Sequence, residues 1–308
     1  MIYANPVDRF FDRDRKKIEV GTKVNTIVRG AMKRYLDQRG FLEINPVIIS
    51  PISDPLNHPV DDPTINYYGY KYRLTKSMIF HKQLALFYLD RIYSFSPNIR
   101  LEPIERKSTG RHLAEFTQLD IEVKGKNRKF VMELAEGMLN DAIMKVKDSI
   151  DEDQLNPTLT KFRRPFRTVK YLDAQHKHGK DFESIMSSEA KEPFWILDIP
   201  LNEREFYDKE KDGDPELLMD MDLIYPYGYG EALSGGEREY QKDRIVTRIA
   251  KKGQRTEDYA LLIEASDRGI PPSAGFGIGV ERLVRFLTGS KDISDVVLFP
   301  KEIGRFGL

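Results

Sequence analysis

Residues 94–123 read SFSPNIRLEPIERKSTGRHLAEFTQLDIEV and constrain the fold more than any other stretch. Apolar residues alternate with polar or charged ones around residues 99–104 and again over 113–123, the period of half-buried strands. Residues 105–111, with Ser108, Thr109 and Gly110, read as the connecting loop. The pattern predicts two strands of one sheet. Its polar residues are the odd feature: Arg100, Glu102, Arg111, His112, Glu115 and Asp120 crowd around Phe116. Guanidinium forks match phosphate oxygens, and an aromatic face beside them can stack on a nucleobase. A solvated edge hairpin has the same composition, so this stretch alone leaves both readings open.

Residues 275–289, GFGIGVERLVRFLTG, form a glycine-rich strand running into a helix. Gly275, Gly277 and Gly279 allow close approach of backbone or ligand. Glu281 and Arg282 open the helix, Leu283, Phe286 and Leu287 give it an apolar face, and Gly289 ends it. The run is neither a phosphate-binding G-x-x-x-x-G-K-[ST] nor a dinucleotide G-x-G-x-x-G.

The other elements follow from periodicity. Residues 17–38 predict a helix with a stripe of Val20, Val24, Ile27, Val28, Ala31, Tyr35 and Leu36. A strand broken by Pro46 is expected over 41–49, and a proline-rich loop containing Asp61 and Asp62 over 50–70. Residues 72–89 read as a strand entering a helix, with Phe80, Leu84, Phe87 and Tyr88 inward. A helix over 130–149, a helical excursion over 161–191 and strands at 194–199, 221–226 and 229–233 complete the pattern. His176 and His178 are read as surface residues.

Composition excludes some chemistry. With no cysteine there is no disulfide, thiolate metal site or cysteine nucleophile. Zero formal net charge gives no bulk attraction to nucleic acid. No signal-peptide core and no run of membrane-span length is visible, so a cytoplasmic location is expected.

Taken together and in order, the two conspicuous segments resemble motifs 2 and 3 of class II aminoacyl-tRNA synthetases. The aspartyl and asparaginyl branch is the nearest likeness, through Arg100, then R-H-L-A-E-F-T-Q-L-D, then G-I-G-V-E-R. Residues 40–51, GFLEINPVIISP, look like motif 1, with Pro46 as its proline. The resemblance implies an α+β fold, an antiparallel β-sheet flanked by helices, as a single catalytic domain over residues 1–308. It also implies a homodimer through motif 1.

The resemblance further implies ATP as substrate and Mg2+ as its metal. It gives Arg100 and Arg282 the catalytic phosphate contacts, Arg100 on the α-phosphate and Arg282 on the γ-phosphate. Arg111 and His112 fall to the outer phosphates, and Phe116 to adenine, opposite Arg282. Glu102 would hold the adenine amino group or the loop. In YGYGEALSGGERE, Glu231 and Ser234 would hold the metal, with Asp222 in support. The amino-acid site would comprise Ser77, Lys82, Asp120 and Arg238. Lys82 and Arg238 would act as two cations on one carboxylate, selecting aspartate.

Two departures alter the expected activity. Motif 1 arrives by residue 40, so no anticodon-binding barrel and no tRNA partner are expected. The branch's Q-S-P-Q is Lys76, Ser77, Met78 and Ile79 here, and Ile79 cannot hydrogen-bond a substrate amino group. Turned end for end, aspartate would place its α-carboxylate in the clamp and its β-carboxylate at the α-phosphate. That combination resembles the archaeal asparagine synthetases related to asparaginyl-tRNA synthetase. Their reaction is aspartate, ATP and ammonia to asparagine, AMP and pyrophosphate, catalysed by an AMP-forming aspartate–ammonia ligase. The rivals are a minimal aspartyl- or asparaginyl-tRNA synthetase-like enzyme and a non-catalytic regulatory dimer.

Overall fold

The computed structural model describes residues 6–305. In chain order it contains α1 (Pro6–Phe11), α2 (Arg15–Asp37), β1 (Leu42–Glu43), β2 (Ile49–Ser50), β3 (Thr64–Tyr67), β4 (Tyr70–Leu74), α3 (Ile79–Ala85), β5 (Arg91–Ile99), β6 (Glu115–Lys124) and α4 (Arg128–Lys147). There follow β7 (Arg167–Lys170), α5 (Tyr171–His178), α6 (Phe182–Glu189), β8 (Phe194–Leu197), β9 (Glu210–Lys211), β10 (Asp214–Leu218), β11 (Asp220–Tyr225) and β12 (Gly230–Glu237). The described chain closes with α7 (Lys242–Lys251), α8 (Ala260–Asp267), β13 (Ser273–Gly279) and α9 (Val280–Thr288).

One eight-stranded sheet organises the molecule, in the order β1-β5-β6-β13-β12-β11-β8-β7. Every internal pairing is antiparallel, and only the edge pairs β1–β5 and β7–β8 are parallel. Strand alternation sends Tyr93, Leu119, Ile121, Val123, Leu223, Phe276 and Ile278 to one face. There they join a buried core with the stripes of α2, α4 and α9. α2 begins where the Asp14 carboxylate accepts the Lys17 N–H at 3.1 Å, and α9 ends at Gly289 in the left-handed region.

The same alternation loads the opposite face with Gln118, Asp120, Glu122, Asp220, Asp222 and Arg238. Gly275 and Gly277 leave the floor there free of side chains. A Cβ on Gly275 would lie 2.2 Å from Glu122 Oε2, and one on Gly277 3.2 Å from Asp120 Oδ1.

Several expected boundaries move. The first strand of the central hairpin ends at Ile99 instead of starting there, and residues 104–109 form a 3-10 turn. The strand expected over 41–49 is two short pieces in different sheets, because Pro46 cannot donate to a ladder. The loop expected over 50–70 ends in a β3–β4 hairpin. Tyr88, expected inward, is 90% exposed, because α3 stops at Ala85. Residues 161–191 contain β7 as well as two helices.

Candidate active site

The polar face of the sheet floors a cavity of about 320 Å³. It brings together Ser77, Lys82, Arg100, Glu102, Arg111, His112, Asp120, Asp222, Glu231, Ser234, Arg238 and Arg282. Phe116 lies in an adjoining recess with Arg100, Gly279 and Arg282. All thirteen residues singled out in the sequence therefore gather around one continuous site.

The outer end is rich in arginine. The Arg100 guanidinium stands 5.1 Å over the Phe116 ring and donates through Nε to the Lys76 carbonyl at 3.0 Å. This differs from the expected geometry, in which Phe116 faces Arg282. The guanidinium on the same wall covers the ring as a cation over its π face. Arg282 instead meets Glu231 at 3.3 Å and donates to the Arg111 carbonyl. Glu281 accepts the Thr117 N–H through both oxygens at 3.0 Å, tying α9 to β6. Burial opposes the charge of Glu231, but Arg282, Arg111, Arg204 and Arg100 outweigh it and hold its carboxyl at about 2. Burial, with Arg282, Arg111 and Arg106 nearby, pushes His112 down to about 3, so its imidazole is neutral at pH 7.

Glu231 and Ser234 lie three residues apart and would face opposite sides of a regular strand. A register shift in the β11–β12 pairing, opposite Leu223 and Ile224, lets both line the cavity. Ser234 stands across from Asp222. Asp222 pairs with Arg204 through one oxygen and feels the Ser234 hydroxyl, and its buried Oδ1 makes no full hydrogen bond among the described residues. Among the described residues no three His, Cys, Asp or Glu side chains form a preformed metal cage. A cation that keeps its waters and is shared with phosphates needs only one or two carboxylates, and the buried Asp222 oxygen beside Glu231 and Ser234 fits that use.

The inner end departs from the expected clamp. Lys82 and Arg238 are buried, but neither is a bare cation. Lys82 Nζ lies 2.8 Å from Asp120 Oδ1 and 3.8 Å from Glu122 Oε2. Arg238 reaches Glu122 at 3.3 Å and Asp208 at 2.9 Å. Lys82 and Arg238 therefore share three carboxylates, and Arg204 and Arg248 also bear on Asp208. Ile79 lines the cavity beside them, and Ser77 Oγ accepts the Ile79 N–H at 3.2 Å.

A strap over residues 50–63 lines the cavity through Asp54, Leu56, Asn57 and His58. His58 bonds Glu102 at 2.9 Å, so Glu102 holds this strap. Asp62 meets Lys76 at 3.0 Å, and the Asp61 N–H donates to the Leu101 carbonyl at 3.2 Å.

Sequence reading missed Asp208, Arg204, Asp220, Glu183 and Glu205, which also line the cavity. Asp220 had a signal: in D-M-D-L it alternates with apolar residues exactly as Asp222 does. Glu183 is pushed up to about 7 by burial and by the charges of Asp222 and Glu231, and burial pushes Glu205 up to about 7. Nothing local marks these two, or marks Asp208 as a partner of Arg238, thirty residues on.

The cavity on this sheet thus has arginines at one end and paired buried charges at the other. A family profile for tRNA synthetases class II (D, K and N) matches residues 4–303, and the chain belongs to that family. It is 30% identical to the aspartate–tRNA(Asp/Asn) ligase of Sulfurisphaera tokodaii over 96% of this chain and 71% of that protein. Identity to the asparagine–tRNA ligase of Streptococcus mutans is 27%, over 95% of this chain and 70% of the relative. The structure superposes on asparaginyl-tRNA synthetase from Pyrococcus horikoshii, solved with asparaginyl-adenylate. The TM-score is 0.85 at 26% identity, covering 95% of this chain and 70% of that one. The class II fold and the resemblance to the aspartyl and asparaginyl branch are borne out, and the chain is an ATP-dependent ligase of that type. No described helix is long and apolar enough to cross a membrane.

Proposed function

We propose that the chain activates the β-carboxylate of L-aspartate with ATP and passes it to ammonia, giving L-asparagine, AMP and pyrophosphate. The observation that carries this reading is the charge pattern of the inner pocket. Two cations set among three carboxylates suit a zwitterionic head, with carboxylate on the cations and ammonium on the acids. With the side-chain carboxylate on the cations instead, the ammonium would lie one bond farther from the clamp and from the acid paired with Arg238. The head bound there is the α-end, which leaves the β-carboxylate pointing to the outer arginines. Ile79 offers no hydrogen bond to an amino group placed the other way round.

In the first step a β-carboxylate oxygen attacks the α-phosphorus and pyrophosphate leaves. Arg100 offsets the charge that builds on the α-phosphate, and Arg282 holds the γ-phosphate. Arg111 and neutral His112 contact the outer phosphates, and adenine enters between Phe116 and Arg282 in place of Arg100. Glu231 and Ser234, with Asp222, would hold Mg2+, which neutralises phosphate charge when bound. In the second step ammonia forms the C–N bond, the mixed-anhydride C–O bond breaks, AMP leaves and the nitrogen loses a proton. The strap from His58 to Asp62 keeps water from the adenylate. Residues 1–308 act as one catalytic domain without tRNA. Exposed Leu42, Ile48 and Ile49 on the motif 1 segment support a homodimer.

A second reading is aminoacylation of tRNA through the α-carboxylate. The relatives favour it over the first: the Sulfurisphaera and Streptococcus proteins are aspartate–tRNA and asparagine–tRNA ligases, matched over nearly the whole chain. Mass identification of the product from aspartate, ATP and ammonium separates the two. Asparagine with stoichiometric AMP is expected. Aspartyl-tRNA formed on adding tRNA, with no asparagine, would establish the second reading instead.

A further inference from the structure

We infer that Asp208 receives the α-ammonium of the substrate and so sets which carboxylate is activated; this rests on the β-activation reading above. Asp208 is 3% exposed and lines the cavity. Its Oδ1 accepts from Arg238 Nη1 at 2.9 Å, and among the described residues that is its one side-chain hydrogen bond. A backbone bridge between Asp208 and Arg238 fixes the carboxylate at the level of that guanidinium.

Covalent geometry then separates the two ways aspartate can lie. With the α-carboxylate on Arg238, the ammonium nitrogen is two bonds from the clamped carbon, about 2.5 Å away. It must find an acceptor beside the clamp itself. With the β-carboxylate on Arg238, the nitrogen lies three bonds away and is adjacent to the reacting carbon instead.

The site holds one acid for each case. Asp208 is level with the Arg238 half of the clamp, and Asp120 bonds the Lys82 half at 2.8 Å. Asp120 lies along β6 towards Gln118, which lines both the main cavity and the Phe116 recess. Successive same-face residues on a strand are about 6.6 Å apart, so Gln118, Asp120 and Glu122 mark positions from nucleotide end to clamp end. Glu122, fully buried against Arg238 and Ser273, is the internal counterion. Asp208, held against Arg238, is then placed for an ammonium directly beside the bound carboxylate.

The test compares aspartate with succinate, the same dicarboxylate without its ammonium. Asp208→Asn keeps an oxygen for Arg238 and removes the charge. The KM for aspartate should rise about ten- to a hundredfold, the effect of losing one charged hydrogen bond. The Ki of succinate should fall or stay within about threefold, and ATP affinity should hold. An equal weakening of both dicarboxylates, the signature of a merely structural acid, overturns the assignment. Should Asp208→Asn fail to fold, Asp208→Ser is read in the same way. Hydroxylamine trapping of the unaltered enzyme tells the two failures apart. An α-hydroxamate sinks β-activation and this inference with it. A β-hydroxamate with parallel losses in the variant sinks only the role of Asp208.

Discussion

The two ends of the cavity handle charge in opposite ways. At the outer end four arginines, Arg100, Arg106, Arg111 and Arg282, stand with the carboxylates Glu102 and Glu231 and a neutral histidine. At the inner end Lys82 and Arg238 are each held by buried carboxylates, Asp120, Glu122 and Asp208. An excess of fixed positive charge suits a polyanion such as a triphosphate. A compensated cluster suits a ligand that carries both signs. The contrast explains how one trench orients two anionic substrates without exchanging them.

Breaking the inner end should have the largest effect. Arg238→Ala is expected to abolish detectable aspartate turnover while ATP binding persists in calorimetry. It should also lower the melting temperature, because the buried acids Glu122 and Asp208 lose their shared partner, a change of up to about 3–5 kcal/mol. Retained aspartate affinity would remove the clamp from the account. Next, Arg100→Ala should reduce aspartate-dependent pyrophosphate release by about 10²–10³-fold at saturating ATP, the loss expected for one donor to developing charge. A change confined to the KM for ATP would place Arg100 in ground-state binding only.

The pH response sharpens the outer half of the comparison. His112 in the folded chain is held at about 3, below its ordinary 6.5, so the unfolded chain binds the extra proton between those values. Its contribution is therefore intact above about pH 6.5 and is lost as pH falls towards 3. Glu231, depressed from 4.5 to about 2, adds stability that is present above 4.5 and lost as pH falls through that window. Denaturant unfolding of the unaltered chain and of His112→Asn should diverge as pH falls below 6.5, with the variant less sensitive. The smallest effect belongs to the strap. His58→Ala removes one bond to Glu102, worth about 1 kcal/mol, and should raise the KM for ATP about fivefold.

Much of this site was legible because strand alternation is local. T-Q-L-D-I-E-V declares that Asp120 and Glu122 leave the core face on which Leu119, Ile121 and Val123 sit. The glycine run of β13 likewise announces an open floor. What stayed hidden depended on pairing across the chain. E-A-L-S shows the spacing of Glu231 and Ser234 but not the register shift that turns both inward. The Arg238 side chain reads as a free cation until Asp208 and Glu122 arrive from other segments. Helix α3 was overextended because Phe87 and Tyr88 continue an apolar spacing beyond the turn at Leu86 that ends it.

The central claim is that the inner pocket holds the amino-acid head and presents the side-chain carboxylate to ATP. Trapping the adenylate with hydroxylamine and separating the isomers chromatographically tests it most directly. The account predicts β-aspartyl hydroxamate, formed with one AMP per turnover. Accumulation of the α-isomer would contradict it.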